Sequence, residues 1–180
     1  MTEPTRPISE SYWVVPGHLL AGEYPGSPEE QRTRKRIDAL IEAGFDTFID
    51  LTQPDELWPY QTILLEEAKI YEVRVQHQRF AIGDFGLPTP EQMRIILDAI
   101  DKGLQAGRKI YMHCWGGIGR TGTTVGCYLV RHGMTSAQAL NQLSLWWSGV
   151  PKSRFHPHSP ETLEQMNFIL RWAEYDQAKA

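Results

Sequence analysis

The 180-residue sequence predicts an α/β fold: a single domain with a central, mostly parallel sheet flanked by helices. Three observations lead there. Short apolar runs alternate with longer amphipathic segments, a pattern that packs as parallel strands joined by helical crossovers. Hydrophobic residues make up 41% and charged residues 22% of the chain, ordinary for a globular domain able to bury a substantial core. Between Lys109 and Arg131 the sequence reads as a buried strand, a glycine-rich loop and a buried helix. With no repeat, linker or composition shift, residues 1–180 are expected to form one domain, residues 1–10 being a flexible N-terminal segment.

The elements follow in order. Tyr12 to Ala21 (YWVVPGHLLA) suggests two short strands around a Pro-Gly turn. Ser27-Pro28-Glu29-Glu30 has the form of a capping box and opens a helix running to Gly44. The basic run Arg32 to Arg36 (RTRKR) sits inside that helix, where a solvated face is its ordinary role and a partner or substrate patch the sharper one. A strand at Thr47 to Leu51, a helix around Tyr60 to Lys69 and a strand at Tyr71 to Val75 come next. Thr89-Pro90-Glu91-Gln92 opens a helix to about Ala106 that buries Ile95, Ile96, Ala99 and Ile100. After the strand at Lys109 to Met112 and the helix from Thr121 to Arg131, Thr135-Ser136-Ala137-Gln138 caps a helix ending near Trp147. The last helix is expected from Pro160 to about Asp176, with Ser159 as its N-cap.

The chemistry concentrates in His113 to Thr121, HCWGGIGRT. Gly116, Gly117 and Gly119 let the backbone fold back so that successive N–H groups converge, and the following helix adds the partial positive charge of its N-terminus. Trp115, Gly116, Gly117, Ile118, Gly119 and Arg120 thus form a cradle for a tetrahedral oxyanion. At its mouth Cys114 meets N–H dipoles, a helix end and Arg120, all of which favour thiolate over thiol. A thiolate in line behind a bound phosphoryl group can displace an alcohol or phenol, while Arg120 grips two oxygens as no lysine can. By position, Thr121 is suited to donate its hydroxyl to the sulfur, and His113 to fix the loop from beneath. The Cys-x5-Arg spacing alone is a weak signal; the adjoining His, three glycines, Thr-Gly, strand and helix make it specific.

These residues resemble the signature of the cysteine-dependent protein tyrosine phosphatase superfamily: His-Cys, five residues, Arg, then Ser or Thr. The Gly-Gly after an aromatic residue is similar to the compact dual-specificity branch, including the cyclin-dependent-kinase-associated phosphatase type. The resemblance implies a phosphatase-type phosphate-binding loop between a strand and a helix, and hydrolysis of phosphomonoesters without a metal or other cofactor.

That chemistry needs a carboxylic acid to protonate the leaving oxygen. Asp84, in Phe80 to Thr89 (FAIGDFGLPT), lies where the dual-specificity branch carries its acid; a plain turn residue is the alternative. Asp50, closing the Thr47 to Leu51 strand, is the rival acid, though such a position more often binds backbone. Ser159 to Leu170 (SPETLEQMNFIL) resembles the segment in which two glutamines position the hydrolytic water. Gln165 matches the second; Glu161 replaces the first.

Composition narrows the remaining classes. A net charge of −4 does not suggest nonspecific nucleic-acid binding. No apolar run approaches membrane-spanning length, MTEPTRPISE lacks a hydrophobic signal core, and no lipidation motif is seen, so a cytoplasmic protein without a membrane partner is the expectation. Two cysteines argue against a disulfide framework, and Cys127, in the apolar VGCYLV, reads as core. In Val150 to Ser159, Lys152, Arg154, His156 and His158 form either a surface loop or a substrate contact. His156 and His158 lack the accompanying ligands of a metal site.

The resemblance leaves the substrate open among phosphotyrosine, phosphoserine and phosphothreonine. Inositol-polyphosphate and phosphoinositide enzymes of the superfamily place lysines in the signature loop; this loop has none, and Asp55 and Glu56 would repel a polyanion if their loop borders the pocket. A phosphorylated protein is therefore preferred over a lipid or small-molecule phosphate. Trp58, Phe85 and Trp115 are candidates for the pocket rim, although large aromatics such as Trp58 belong more often to cores. Two other classes remain: a noncatalytic phosphate-binding module, and a different cysteine-loop enzyme such as an arsenate reductase or sulfurtransferase.

Overall fold

The computed structural model describes residues 4–177. Five strands, β1 (Ser11–Val15), β2 (Leu19–Gly22), β3 (Thr47–Asp50), β4 (Gln76–Arg79) and β5 (Ile110–His113), lie in the order β1-β2-β5-β3-β4. β1 pairs antiparallel with β2, and the other pairings are parallel. The helices are α1 (Glu30–Glu42), α2 (Gln61–Ile70), α3 (Pro90–Gln105), α4 (Gly119–Arg131), α5 (Ser136–Ser148), α6 (Leu163–Leu170) and α7 (Trp172–Gln177).

Alternate strand residues point to opposite faces, and the core divides accordingly. Leu20, Phe48 and Tyr111 pack with Ile37 and Leu40 of α1 and Leu64 of α2. Leu19, Ile49 and Met112 pack with residues of α3, α4, α5 and α6, among them Ile96, Val125, Leu143 and Ile169. Both sheet faces are covered, as a parallel sheet requires. Register then positions the site: His113 is level with Gly22 on one side and Asp50 on the other, and Asp50 is level with Arg79. The loops after four strands therefore leave from one edge of the sheet, the end at which open α/β sheets bind ligands.

Several expected elements are shifted. The fourth strand is Gln76–Arg79, not Tyr71 to Val75: Tyr71 caps α2, Glu72 takes a left-handed φ of 55°, and the Val73 N–H bonds back to the Ala68 carbonyl at 2.9 Å. As the outer strand, β4 (QHQR) carries no apolar alternation to announce it. α1 begins at Glu30, with no side-chain cap at Glu29. The Ser27 hydroxyl instead accepts the Glu29 N–H at 3.2 Å, and Thr33 Oγ1 accepts the Ser27 N–H at 2.9 Å, forming a turn ahead of the helix. In α3 the buried face is Met93, Arg94, Ile96, Leu97 and Ile100, which leaves Ile95 exposed. The final helix is two, and its N-cap is Thr162 rather than Ser159, because Thr162 and Gln165 form a complete capping box. Residues 4–10 pack onto the domain, with Ile8 in the core and the Pro4 carbonyl accepting the Trp13 indole N–H at 2.8 Å; residues 1–3 of the segment expected to be flexible lie outside the described residues.

Candidate active site

The loop from Cys114 to Ile118 leaves the end of β5, and its carbonyls are held from outside. His113 Nδ1–H donates to the Cys114 carbonyl at 3.2 Å, Tyr24 N–H to that of Trp115 at 2.8 Å, Lys152 Nζ to that of Gly116 at 3.3 Å and Ser159 Oγ to that of Ile118 at 2.8 Å. The N–H groups of Trp115, Gly116, Gly117 and Ile118 have no acceptor among the described residues. Unpaired donors in a tight loop at a helix N-terminus make an anion cradle. Gly117 is required at its position: its φ is +74°, and a Cβ there would stand 2.5 Å from the Gly22 carbonyl carbon.

His113 lies beneath the loop as position suggested. Because its Nδ1 faces a carbonyl and must donate, Nε2 accepts from the Tyr60 hydroxyl at 2.7 Å. Burial lowers its pKa to about 4, outweighing the nearby Asp50 charge, so the imidazole is neutral. Cys114 is 3% exposed and lines a pocket of about 310 Å³ together with Asp84, Phe85, Trp115, Gly116, Ile118, Arg120, Lys152, His156 and Glu161. Thr121 Oγ1, next to the loop, is buried with no hydrogen-bond partner among the described residues, so the expected bond to the sulfur is not formed.

Arg120 is buried and held by four hydrogen bonds. Its end-on fork is clamped bidentately by Glu56, Nη1 to Oε2 at 2.8 Å and Nη2 to Oε1 at 2.7 Å. Nη1 also donates to the Ile82 carbonyl at 3.0 Å, and Nη2 to Asp84 Oδ1 at 3.1 Å. Nη2 is thus shared between Glu56 and Asp84, and an oxyanion approaching it would compete with Asp84. The sequence pointed to Glu56 only as a repelling charge. That expectation is corrected: Glu56 does not line the pocket but binds Arg120, which does, and this ion pair lowers the Glu56 pKa despite the opposing effect of burial.

Asp84, 40% exposed at its side chain, shares the pocket with Cys114. Asp50 is fully buried and committed elsewhere: Oδ1 accepts from Thr52 N–H at 2.9 Å and Thr52 Oγ1 at 2.6 Å, and Oδ2 from Arg79 at 2.8 Å. Burial would raise its pKa, but His113, His77, Thr52 and Arg79 hold it far below the usual carboxylate range. Absent from the lining of the Cys114 pocket and with both oxygens occupied, Asp50 is poorly placed for the rival acid role.

Glu161 and Gln165 both reach the loop, by way of a small-residue face of α4. Gly119, Gly122 and Gly126 fall three and four residues apart on one side of the helix. A Cβ at Gly119 would stand 2.6 Å from Glu161 Oε2, one at Gly122 would collide with Ser159, and one at Gly126 with Ile169. The missing side chains let residues 159–169 lie directly on α4. Gln165, however, is occupied: its Oε1 accepts from Glu161 N–H at 3.1 Å and Thr162 N–H at 3.2 Å, and its Nε2 donates to the Gly86 carbonyl at 3.3 Å. Glu161 places its carboxyl in the pocket against the Gly119 backbone, its pKa raised by burial and by the Asp84 charge in spite of a hydrogen bond from that backbone.

The rim carries two aromatics, Phe85, 60% exposed, and Trp115, 57% exposed. Trp58, 64% exposed, is a surface residue and not part of the core, but it lines the neighbouring groove and not the Cys114 pocket. Cys127 is fully buried and free, its thiol pKa raised by burial. The carbonyl of Ile82, the Lys152 tie to the loop and the Glu56 clamp were missed by sequence reasoning. What could have found them is strand-end register, since each lies in, or reaches to, a loop leaving the same sheet edge.

A family model described as the Swiss Army Knife protein, DSP-PTPase phosphatase domain matches residues 9–165. The chain is 30% identical over 143 residues to a dual specificity protein phosphatase, CDC14AB of Danio rerio, covering 71% of this chain and 20% of that protein. It thus spans about a fifth of the length of the first curated relatives it matches. Among solved structures, the active form of Tk-PTP superimposes with a TM-score of 0.65 at 26% identity, covering 92% of this chain and 97% of that one. Kinase associated phosphatase bearing a substitution of its catalytic cysteine shares the fold, with a TM-score of 0.70 at 21% identity over 90% of this chain and 88% of that one.

Proposed function

The chain belongs to the DSP-PTPase phosphatase domain family of cysteine-dependent phosphatases, and from that premise we propose that it hydrolyses phosphomonoesters on proteins through a cysteinyl-phosphate intermediate. The observation that carries the reading is the convergence of Cys114, the Arg120 fork and the Asp84 carboxyl in one pocket.

In the first step the Cys114 thiolate attacks phosphorus, a P–S bond forms and the P–O bond to the substrate oxygen breaks. Asp84 gives its proton to the departing oxygen. The loop N–H groups and Arg120 hold the three remaining oxygens, Arg120 exchanging its Asp84 contact for the phosphoryl group and so freeing the acid. In the second step water forms a new P–O bond, the P–S bond breaks, and the water proton passes to a carboxylate. Asp84, ionised by the first step, accepts that proton. Glu161, the carboxyl beside the loop, orients the water in place of the occupied Gln165.

A phosphoprotein substrate fits an exposed aromatic rim and a loop without lysine. Phosphotyrosine, phosphoserine and phosphothreonine all fall within the proposal. A cytoplasmic location suits a nucleophile that must remain a free thiol.

The test is turnover of aryl and alkyl phosphates by the reduced protein beside Cys114→Ser and Asp84→Ala. Cys114→Ser should abolish release of phosphate from both. Asp84→Ala should cost about 10²-fold or more on alkyl phosphates and much less on an aryl phosphate with a good leaving group. Activity surviving in Cys114→Ser would sink the mechanism. Phosphopeptide binding without any turnover would favour a noncatalytic module.

A further inference from the structure

We propose that the groove sharing Trp115 and Lys152 with the Cys114 pocket is a second anion subsite, which takes a carboxylate or a second phosphoryl group on a residue flanking the phosphorylated residue of a peptide substrate. This rests on the phosphoprotein phosphatase reading and gives it a sequence preference.

The groove, about 370 Å³, is lined by Trp58 and Trp115 and by the charged side chains Glu23, Arg32, Arg36 and Lys152. Its origin lies in the basic run of α1, which the helical period divides. Arg34 turns away to Glu30, Glu66 and Glu67, whereas Arg32 and Arg36, four apart, share the groove face. Arg36 and Lys152 both bind Glu23, and Arg36 Nη1 also donates to the Tyr24 carbonyl at 3.1 Å, making a fixed platform. Arg32 is exposed and has no ion-pair partner among the described residues.

Three cations against one carboxylate form a local excess in a chain whose net charge is −4. Glu56, on the neighbouring loop, does not cancel it, being spent on Arg120. Lys152 ties the two sites together, with Nζ on Glu23 Oε2 at 2.7 Å and on the Gly116 carbonyl at 3.3 Å. The two cavities have the Trp115 side chain and this lysine in common. An extended peptide advances roughly 3.3–3.6 Å per residue, so a side chain within about three residues of the phosphorylated one can reach across. The exposed faces of Trp58 and Trp115 offer that peptide apolar contact. A polyphosphorylated inositol is the competing occupant, but the loop around Cys114 offers it no lysine.

The experiment measures kcat/KM on phosphopeptides in which Asp, phosphoserine or Lys is scanned through the flanking positions, beside p-nitrophenyl phosphate and a soluble inositol bisphosphate. The wild-type chain should prefer an Asp- or phosphoserine-flanked peptide over its Lys-flanked counterpart by about tenfold, and Arg32→Glu should bring that ratio to about one. The stronger of the two anionic arms identifies the group recognised. A wild-type ratio of one, a preference unchanged in Arg32→Glu, or faster turnover of the inositol bisphosphate than of every peptide would overturn the subsite. Failure of wild type to hydrolyse even p-nitrophenyl phosphate would instead overturn the phosphatase reading. The same peptides titrated onto Cys114→Ser would then report on the groove alone, by the ratio of dissociation constants.

Discussion

At the scale of single residues, the site is organised by where charge is permitted. His113 is neutral beneath the loop while Asp50, 4.0 Å from its Nδ1, is held ionised. The unfolded chain takes up a proton on His113 below about pH 6.5, whereas the folded chain resists until about pH 4. Stability is therefore full above pH 6.5 and declines between those values, and the Asp50 contribution is lost only in stronger acid. Urea denaturation at pH 4.5 should give a free energy lower by roughly 2 kcal/mol than at pH 7, and His113→Gln should flatten that slope. An unchanged slope in the variant would place the titration elsewhere. That Cys114, Arg120 and Asp84 would meet in one pocket was legible, the first two because the loop fixes their residue types and spacing, the third from its glycine-flanked loop. Glu56 was not: a carboxylate clamping a guanidinium obeys no sequence interval.

Elements were legible where local chemistry writes them. Thr135 with Gln138 accepts and returns its capping bonds as its sequence implies. Ser27 failed because Thr33, six residues on, accepts its N–H, and its own hydroxyl accepts from Glu29 ahead of the helix. β4 failed because neither of its faces is apolar, so only pairing with β3 defines it. The loop element depends on backbone that no side chain permits. Gly117→Ala must either relieve the +74° φ or push the loop away from Gly22. We expect a loss of about 10²-fold or more in kcat/KM with at most about 2 kcal/mol lost from global stability, because the loop, not the core, absorbs the change. Circular dichroism melts beside aryl phosphate turnover check this; a fold collapse matching the activity loss would refute a local effect.

For the whole molecule, alternation of strands and helices was enough to foretell a parallel sheet, but not its order. Order matters, since it seats β5 between β2 and β3 and leaves β4 at the rim. Hydrogen exchange should follow that layout, with β5 amides opening last and those of β4 and residues 80–89 among the first. Equal protection across the sheet would contradict it.

On that expectation, Cys114 and Asp84, the nucleophile and acid of the proposed mechanism, belong to parts of unequal resilience. Mild heat or denaturant would then spare the grip on phosphate while loosening proton delivery. A protein so weakened would not simply fade as a catalyst; it would narrow, still cleaving esters whose alcohols depart unaided and abandoning those that need help to leave.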